Sequence, residues 1–165
     1  AKTEDKNVKK FLLNYYMDMM RATMFRQTQF AEFEQIAHAK AESGEPLTKE
    51  NLCNIYYELN KKYYGDGIEH DPEIAYEWAR IPHFYRSFYV YKYATGIISA
   101  ISIVKRILTE GEPAVKDYFE FLRGGNSTDP VSILKKAGVD LTTKAPFETA
   151  MKEFESTLEE FEKLL

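Results

Sequence analysis

Apolar residues recur at three- and four-residue steps near the start of the chain: Val8, Phe11, Leu12, Tyr15, Met19, Ala22, Phe25, Phe30, Phe33, Ile36 and Ala37. This is the period of one helix face, and it predicts a long amphipathic helix from Val8 to His38, with no proline or glycine before Gly44. Ser43-Gly44-Glu45-Pro46 ends it. Thr48 has an N-cap side chain, and a second helix is expected from there to about Tyr64, where Gly65-Asp66-Gly67 breaks the chain. Asp71-Pro72 pairs an N-cap with proline at the first helical position and predicts a helix through Tyr76 and Trp78 to Arg80. Pro82 would lose its backbone hydrogen bond inside a continuous helix, so a break is expected near Arg80-Ile81. An apolar helix is expected next, from about His83 to Leu108, in which Gly96, Ser99, Ala100 and Ser102 would permit close packing. Gly111-Glu112-Pro113 opens a short helix that ends at Gly124-Gly125. Asp129-Pro130 opens another that Gly138 stops, and Pro146 opens the last. Strand-like alternation, repeats and linkers do not interrupt this pattern. The expectation is an all-α, irregular multi-helix bundle, with residues 1–165 as a single helical domain.

Composition narrows what such a bundle does. At 165 residues the chain is long enough for one core, burying roughly 70% of the surface its unfolded form exposes. Aromatics make up 15%, with 12 tyrosines whose apolar bodies and polar tips suit the lining of a wet pocket as well as a helix seam. Net charge is −4, and basic residues alternate with acidic ones, so no nucleic-acid footprint is expected. The most apolar run, Ala94 to Val104, falls short of the ~20 residues that span a bilayer, so no membrane partner is expected. The first residues, Ala1-Lys2-Thr3-Glu4-Asp5-Lys6, are hydrophilic, have no signal-peptide core and lack an initiator Met, which fits a processed or excised fragment. Cys53 is the single cysteine, so an internal disulfide is ruled out and a reducing, cytoplasmic compartment fits.

Candidate chemistry comes down to one segment. The histidines are His38, His70 and His83, and none lies four residues from another, so the H-E-x-x-H arrangement of a zinc peptidase is not in this sequence. His38 is expected on a helix surface and His70 exposed in a turn. Cys53, beside Leu52, Ile55 and Tyr56, is expected to be a buried, inert thiol. Gly124-Gly125 reads as a helix C-cap rather than a phosphate loop. Between His83 and Tyr93, however, one His, one Arg and four Tyr crowd into eleven residues. On a helix starting near His83, Tyr89 and Tyr93 share a face and His83 sits at its mouth. An imidazole and two phenols so placed can donate to a developing oxyanion. Tyr85, Phe88 and Tyr91 would then turn into packing. The residues alone leave open the alternative of an aromatic helix seam with one satisfied histidine.

The strings themselves are more specific. Trp78-Ala79-Arg80-Ile81-Pro82-His83-Phe84-Tyr85 followed by Phe88-Tyr89-Val90-Tyr91-Lys92-Tyr93-Ala94-Thr95-Gly96 resembles the C-terminal signature of oligoendopeptidase F, a thimet-oligopeptidase-like zinc peptidase family. Thr23 to Glu34, Tyr63-Tyr64-Gly65 and Leu134 to Asp140 resemble the same family, in the same order, so the likeness covers essentially the whole chain. It implies the C-terminal helical part of a two-lobed metallopeptidase that encloses short peptides in a channel. By the resemblance, the zinc-binding helix and the glutamate ligand lie upstream, and this chain binds no zinc and is inactive by itself. His83, Tyr89 and Tyr93 would bind substrate and stabilise the oxyanion, with Tyr85 or Tyr91 as alternatives. Arg26 and Gln27 lie in a matching string, and buried hydrogen bonding between helices is their expected role. Short peptides, the missing N-terminal part of the enzyme and self-association of the fragment are the implied partners. The rival expectation is a non-catalytic module that binds a peptide or partner helix through a Tyr-rich groove.

Overall fold

The apolar steps of the first forty residues do wind as helix, although not as one uninterrupted α-helix. In the computed structural model, which describes residues 3–165, α1 spans Lys6–Met20 and α2 spans Arg26–Glu42, with a π-helical turn, Arg21–Phe25, between them. No strand occurs among the described residues, and no helix there is long and apolar enough to cross a membrane. The chain is all-α. It forms two compact units, one of Arg21–Ala94 and one of the chain up to Met20 with Thr95–Leu165.

The Arg21–Ala94 unit is built on an aromatic core. Phe30 and Phe33 of α2 pack with Tyr56 and Leu59 of α3 (Lys49–Tyr64), and Ile81 and Val90 close the cluster. Each large side chain fully buried here contributes about 1.5–3 kcal/mol over its exposed state. The Phe33 and Tyr56 rings meet edge to face, 5.4 Å between centroids. Thr48 caps α3 by accepting the Asn51 N–H at 3.2 Å, as its side chain predicts. Asp71 likewise accepts the Glu73 N–H at 2.9 Å, but the stretch it starts, Pro72–Arg80, winds as a 3-10 helix. Glu77 fastens that stretch: its buried carboxylate accepts the Tyr56 hydroxyl at 2.5 Å and hydrogen bonds from Arg26 and Arg80. Arg26, expected in buried bonding between helices, makes instead a part-buried bond whose partner element is a 3-10 segment.

Pro82 breaks the chain where expected, with Ile81 extended at φ −90° and ψ 101°. The helix expected from His83 does not start there. A single 3-10 turn, Pro82–Tyr85, is followed by an extended Arg86 and by Phe88 at φ +55°, and only then by α4 (Tyr91–Glu110). A bulky residue in the left-handed region cannot continue a right-handed helix. Apolar spacing carried the expected helix back over these residues because Phe84 and Val90 do pack in the core, from the turn before α4 and not from its first turns.

The other unit gathers α1 with most of α4, α5 (Glu112–Gly124), α6 (Pro130–Leu134), a 3-10 turn (Lys135–Ala137) and α7 (Ala145–Glu162). Asp129 caps α6 through the Ser132 N–H at 2.9 Å. Gly138 ends the following turn at φ +74°, and a Cβ there would stand 1.9 Å from Arg106 Nη1. That guanidinium is held by the Ala137 carbonyl at 2.6 Å and by Glu110 and Asp117 at 2.7 and 3.0 Å. Of the four small residues on α4, Ser99 and Ser102 are buried, and Ser102 reaches the Pro146 carbonyl at 3.4 Å; Gly96 and Ala100 face outward. Lys9 of α1 pairs with Glu160 of α7 at 2.5 Å. Leu13 and Met20 are buried on α1, while Val8, Phe11, Leu12, Tyr15 and Met19 stay exposed, Phe11 at 67% and Tyr15 at 65%.

Candidate functional site

The turn between Pro82 and α4 draws together the three residues singled out by their spacing. The His83 and Tyr89 rings stack at 5.9 Å between centroids and 18° between planes. Tyr93 meets His83 edge-on at 5.7 Å and Tyr89 at 5.6 Å, closing a triangle of rings. The Tyr93 hydroxyl lies 3.2 Å from His83 Nε2, a hydrogen bond whose direction depends on the imidazole tautomer. The triangle is open to solvent: His83 is exposed, Tyr89 half-buried and Tyr93 36% exposed. Tyr93 holds its proton more tightly than an ordinary phenol, first through its hydrogen bond with Tyr89, with desolvation and the Tyr89 charge adding to it. The Lys92 ammonium sits 5.2 Å above the Tyr89 ring and the Arg86 guanidinium 6.0 Å from it, so the cluster is bordered by positive charge.

The shared helix face that placed Tyr89 and Tyr93 together in sequence is not how they meet. Tyr93 is on the first turn of α4, and Tyr89 precedes that helix. The other aromatics of the segment also depart from expectation. Tyr85, Phe88 and Tyr91 are not packed away but exposed, Tyr85 at 90%. Tyr85 borders a separate cavity of about 310 Å³ with Phe33, Trp78, Ile81 and Phe84. Tyr91 stands two positions from Tyr93 on α4, and so on a different face. Tyr85 and Phe88 leave the turn before α4 on its exposed side, Phe88 against the His38 ring, and Tyr91 is exposed on the first turn of α4.

The remaining histidines have local duties. His70 is not the free turn residue expected: it is half-buried, its Nδ1 lies 2.9 Å from the Asn60 amide and its Nε2 2.8 Å from the Gly65 carbonyl, with Tyr57 edge-on at 6.4 Å. His38, on α2, lays its ring 4.5 Å from that of Phe88. Cys53 is buried and unbonded, as its apolar neighbours predict. Among the described residues no three His, Cys, Asp or Glu side chains converge as a metal would require. The donor set here does not fit zinc.

Two acidic residues carry more of the site's geometry than their sequence context indicates. Glu77, through Tyr56, Arg26 and Arg80, fixes the 3-10 segment leading into Pro82-His83. Glu34, 4% exposed on α2, accepts the N–H of Phe88 at 2.6 Å, next to Tyr89. The helical pattern does place Glu34 on the inward face, since it follows Phe30 by four; nothing in the sequence shows what either acid reaches.

Comparison with known proteins finds relatives along nearly the whole chain. The sequence model of Peptidase family M3 matches residues 1–153. Oligopeptidase PepF of Bacillus subtilis is 54% identical over 162 residues, covering 98% of this chain and 24% of that protein. The plasmid oligoendopeptidase F of Lactococcus lactis subsp. cremoris is 45% identical over 154 residues, 93% of this chain and 26% of its own length. The crystal structure of oligoendopeptidase-F from Enterococcus faecium superposes with a TM-score of 0.95 at 48% identity, covering 99% of this chain and 31% of that one. The chain thus spans about a quarter of the length of the curated relatives it matches.

Proposed function

We propose, for a chain that belongs to peptidase family M3, that it serves as the substrate-binding and oxyanion-stabilising part of an oligoendopeptidase that hydrolyses short peptides. The observation that carries this reading is the convergence of the His83 Nε2 and Tyr93 hydroxyl at 3.2 Å with the Tyr89 ring against both. With its proton on Nε2, the imidazole donates to the Tyr93 hydroxyl, which leaves that hydroxyl's own proton, and that of Tyr89 beside it, to donate outward. A chain of donors so polarised strengthens its last member. A peptide carbonyl oxygen set before it gains charge as the carbon becomes tetrahedral, so the bond tightens in the transition state and lowers the barrier. Tyr93, with its pKa raised, remains a protonated donor throughout the neutral range.

Since the residues present do not fit zinc, no step here runs through a metal. On this reading the zinc and the general base that the oligoendopeptidase F resemblance implies belong to parts of the protein outside this stretch. Those parts and a short peptide are the partners, and the free, buried Cys53 fits a cytoplasmic setting.

The test is Tyr→Phe at positions 89 and 93 in the full-length enzyme. Phe removes only the hydroxyl and keeps the ring. Loss of one oxyanion donor typically lowers kcat by ~100- to 1,000-fold, with a smaller effect on KM. An unchanged kcat in both variants, with metal content intact, would reduce the triangle to an aromatic surface that binds a peptide or partner helix without doing chemistry.

A further inference from the structure

We propose that Glu34 is a positioning residue: with His38, one turn further along α2, it clamps Phe88 and thereby sets Tyr89 against His83. The proposal rests on the role given above to the Tyr89 triangle. Phe88 is the one non-glycine residue among those described with positive φ, at +55°. A bulky side chain holds that conformation only where its surroundings impose it. Two side chains do so here. Glu34 Oε1 takes the Phe88 N–H at 2.6 Å, across 54 residues of sequence. The His38 ring covers the Phe88 ring at 4.5 Å. On the far side of Tyr89, Val90 is fully buried in the Phe30, Phe33 and Tyr56 cluster. Tyr89 is therefore held between two fixed neighbours, a clamped backbone at 88 and a core anchor at 90, which bring its ring onto His83.

Burying a carboxylate is costly, and an apolar residue could pack against Phe33 in its place. Retaining an acid that reaches a single strained N–H is what a requirement on the turn would produce. Released from Glu34, the turn can relax to negative φ while Val90 and α4 stay where they are. Tyr89 then swings away from His83, and the triangle opens without loss of the core.

The experiment compares Glu34→Leu, Glu34→Gln and Glu34→Asp in the full-length enzyme. Leu deletes the acceptor, Gln keeps one at the same reach, and Asp keeps the charge but falls short of Phe88, serving if the Leu variant does not fold. The expected result is a kcat lower by roughly tenfold to a hundredfold in the Leu and Asp variants with KM little changed, since small misplacements of reacting groups cost rates of that order. Gln should restore most of the activity. Adding Glu34→Leu, or Glu34→Asp, to Tyr89→Phe should lower kcat no further, because both changes act through one hydroxyl. Crystal structures of the Leu or Asp variant should show the His83–Tyr89 stack opened and the Phe33–Tyr56 contact kept. A stack unchanged from its 5.9 Å separation, or losses that multiply in the double variant, would overturn the proposal. An opened stack in an enzyme whose Tyr89→Phe variant is fully active would leave the positioning role standing and remove the catalytic reading of Tyr89.

Discussion

At the scale of single residues, the buried acid Glu77 shows how much one side chain carries. Its carboxylate serves three donors: the Tyr56 hydroxyl at 2.5 Å, Arg26 and the more exposed Arg80. Burial raises the Tyr56 pKa, and the hydrogen bond to Glu77 raises it further. Burial acts the other way on Arg26, but the charge of Glu77 and the bond to it win, so its guanidinium also holds its proton more tightly than usual. Removing the acid would leave a buried hydroxyl and a partly buried cation without their partner. Glu77→Ala should therefore destabilise by about 1–3 kcal/mol, more than Tyr56→Phe at about 1 kcal/mol, because the latter removes a donor and leaves the acceptor two cations. Chemical denaturation of the full-length protein followed by a probe in the Arg21–Ala94 unit measures both. Equal losses would mean that the Arg26 and Arg80 bonds contribute nothing beyond the Tyr56 contact.

Among the elements, the turn at Gly138 gives the sharpest single-site consequence. Its φ of +74° favours glycine, and a Cβ would meet Arg106 Nη1 at 1.9 Å, displacing a guanidinium bonded to three partners. Strain of this kind costs of order 1–3 kcal/mol. Gly138→Ala should thus lower the exchange protection of the Val139 amide, which bonds the Leu134 carbonyl at 3.2 Å, by roughly 5- to 30-fold per 1–2 kcal/mol lost. Protection that does not change would show that Arg106 finds an equivalent seat. Gly138 also marks what a sequence reveals of this fold. Its stop signal, the caps Thr48, Asp71 and Asp129, and the proline breaks are legible because each acts within four residues of itself. The start of α4 lies eight residues later than the spacing predicts, at Tyr91 and not His83, because the turn with Phe88 at φ +55° stands between them, and its bond to Glu34 spans 54 residues that no local signal bridges. The site follows the same division. His83, Tyr89 and Tyr93 are legible as a cluster by spacing and by family strings, although helix periodicity is the wrong reason for their meeting. What Glu34 and Glu77 hold together is not legible, since Phe88 lies 54 residues from the first and Tyr56 and Arg26 lie 21 and 51 residues from the second.

For the molecule as a whole, the outward stripe of α1 decides how residues 1–165 behave alone. Val8, Phe11, Leu12, Tyr15 and Met19 lie uncovered, and the Phe11 and Tyr15 rings stack on each other at 6.4 Å. Soluble monomers rarely leave apolar patches larger than a few hundred Å² in water. Relatives that match this chain are about four times as long, so a larger protein has ample mass to cover such a stripe. The chain expressed by itself should therefore self-associate, and a zinc-supplemented assay with a quenched fluorescent peptide should show no turnover, since its histidines are spread over a turn, a stacked ring and the Tyr93 contact. Replacing Phe11 and Tyr15 together by Lys should render it monomeric in sedimentation, because two charges on the stripe make its burial against a second copy unfavourable. The same pair in the full-length enzyme should lower its thermal stability for the same reason. A dilute wild-type monomer that binds no apolar dye would show the stripe to be an ordinary surface, and chelator-sensitive turnover by the isolated chain would show that it builds a metal centre from residues now engaged elsewhere.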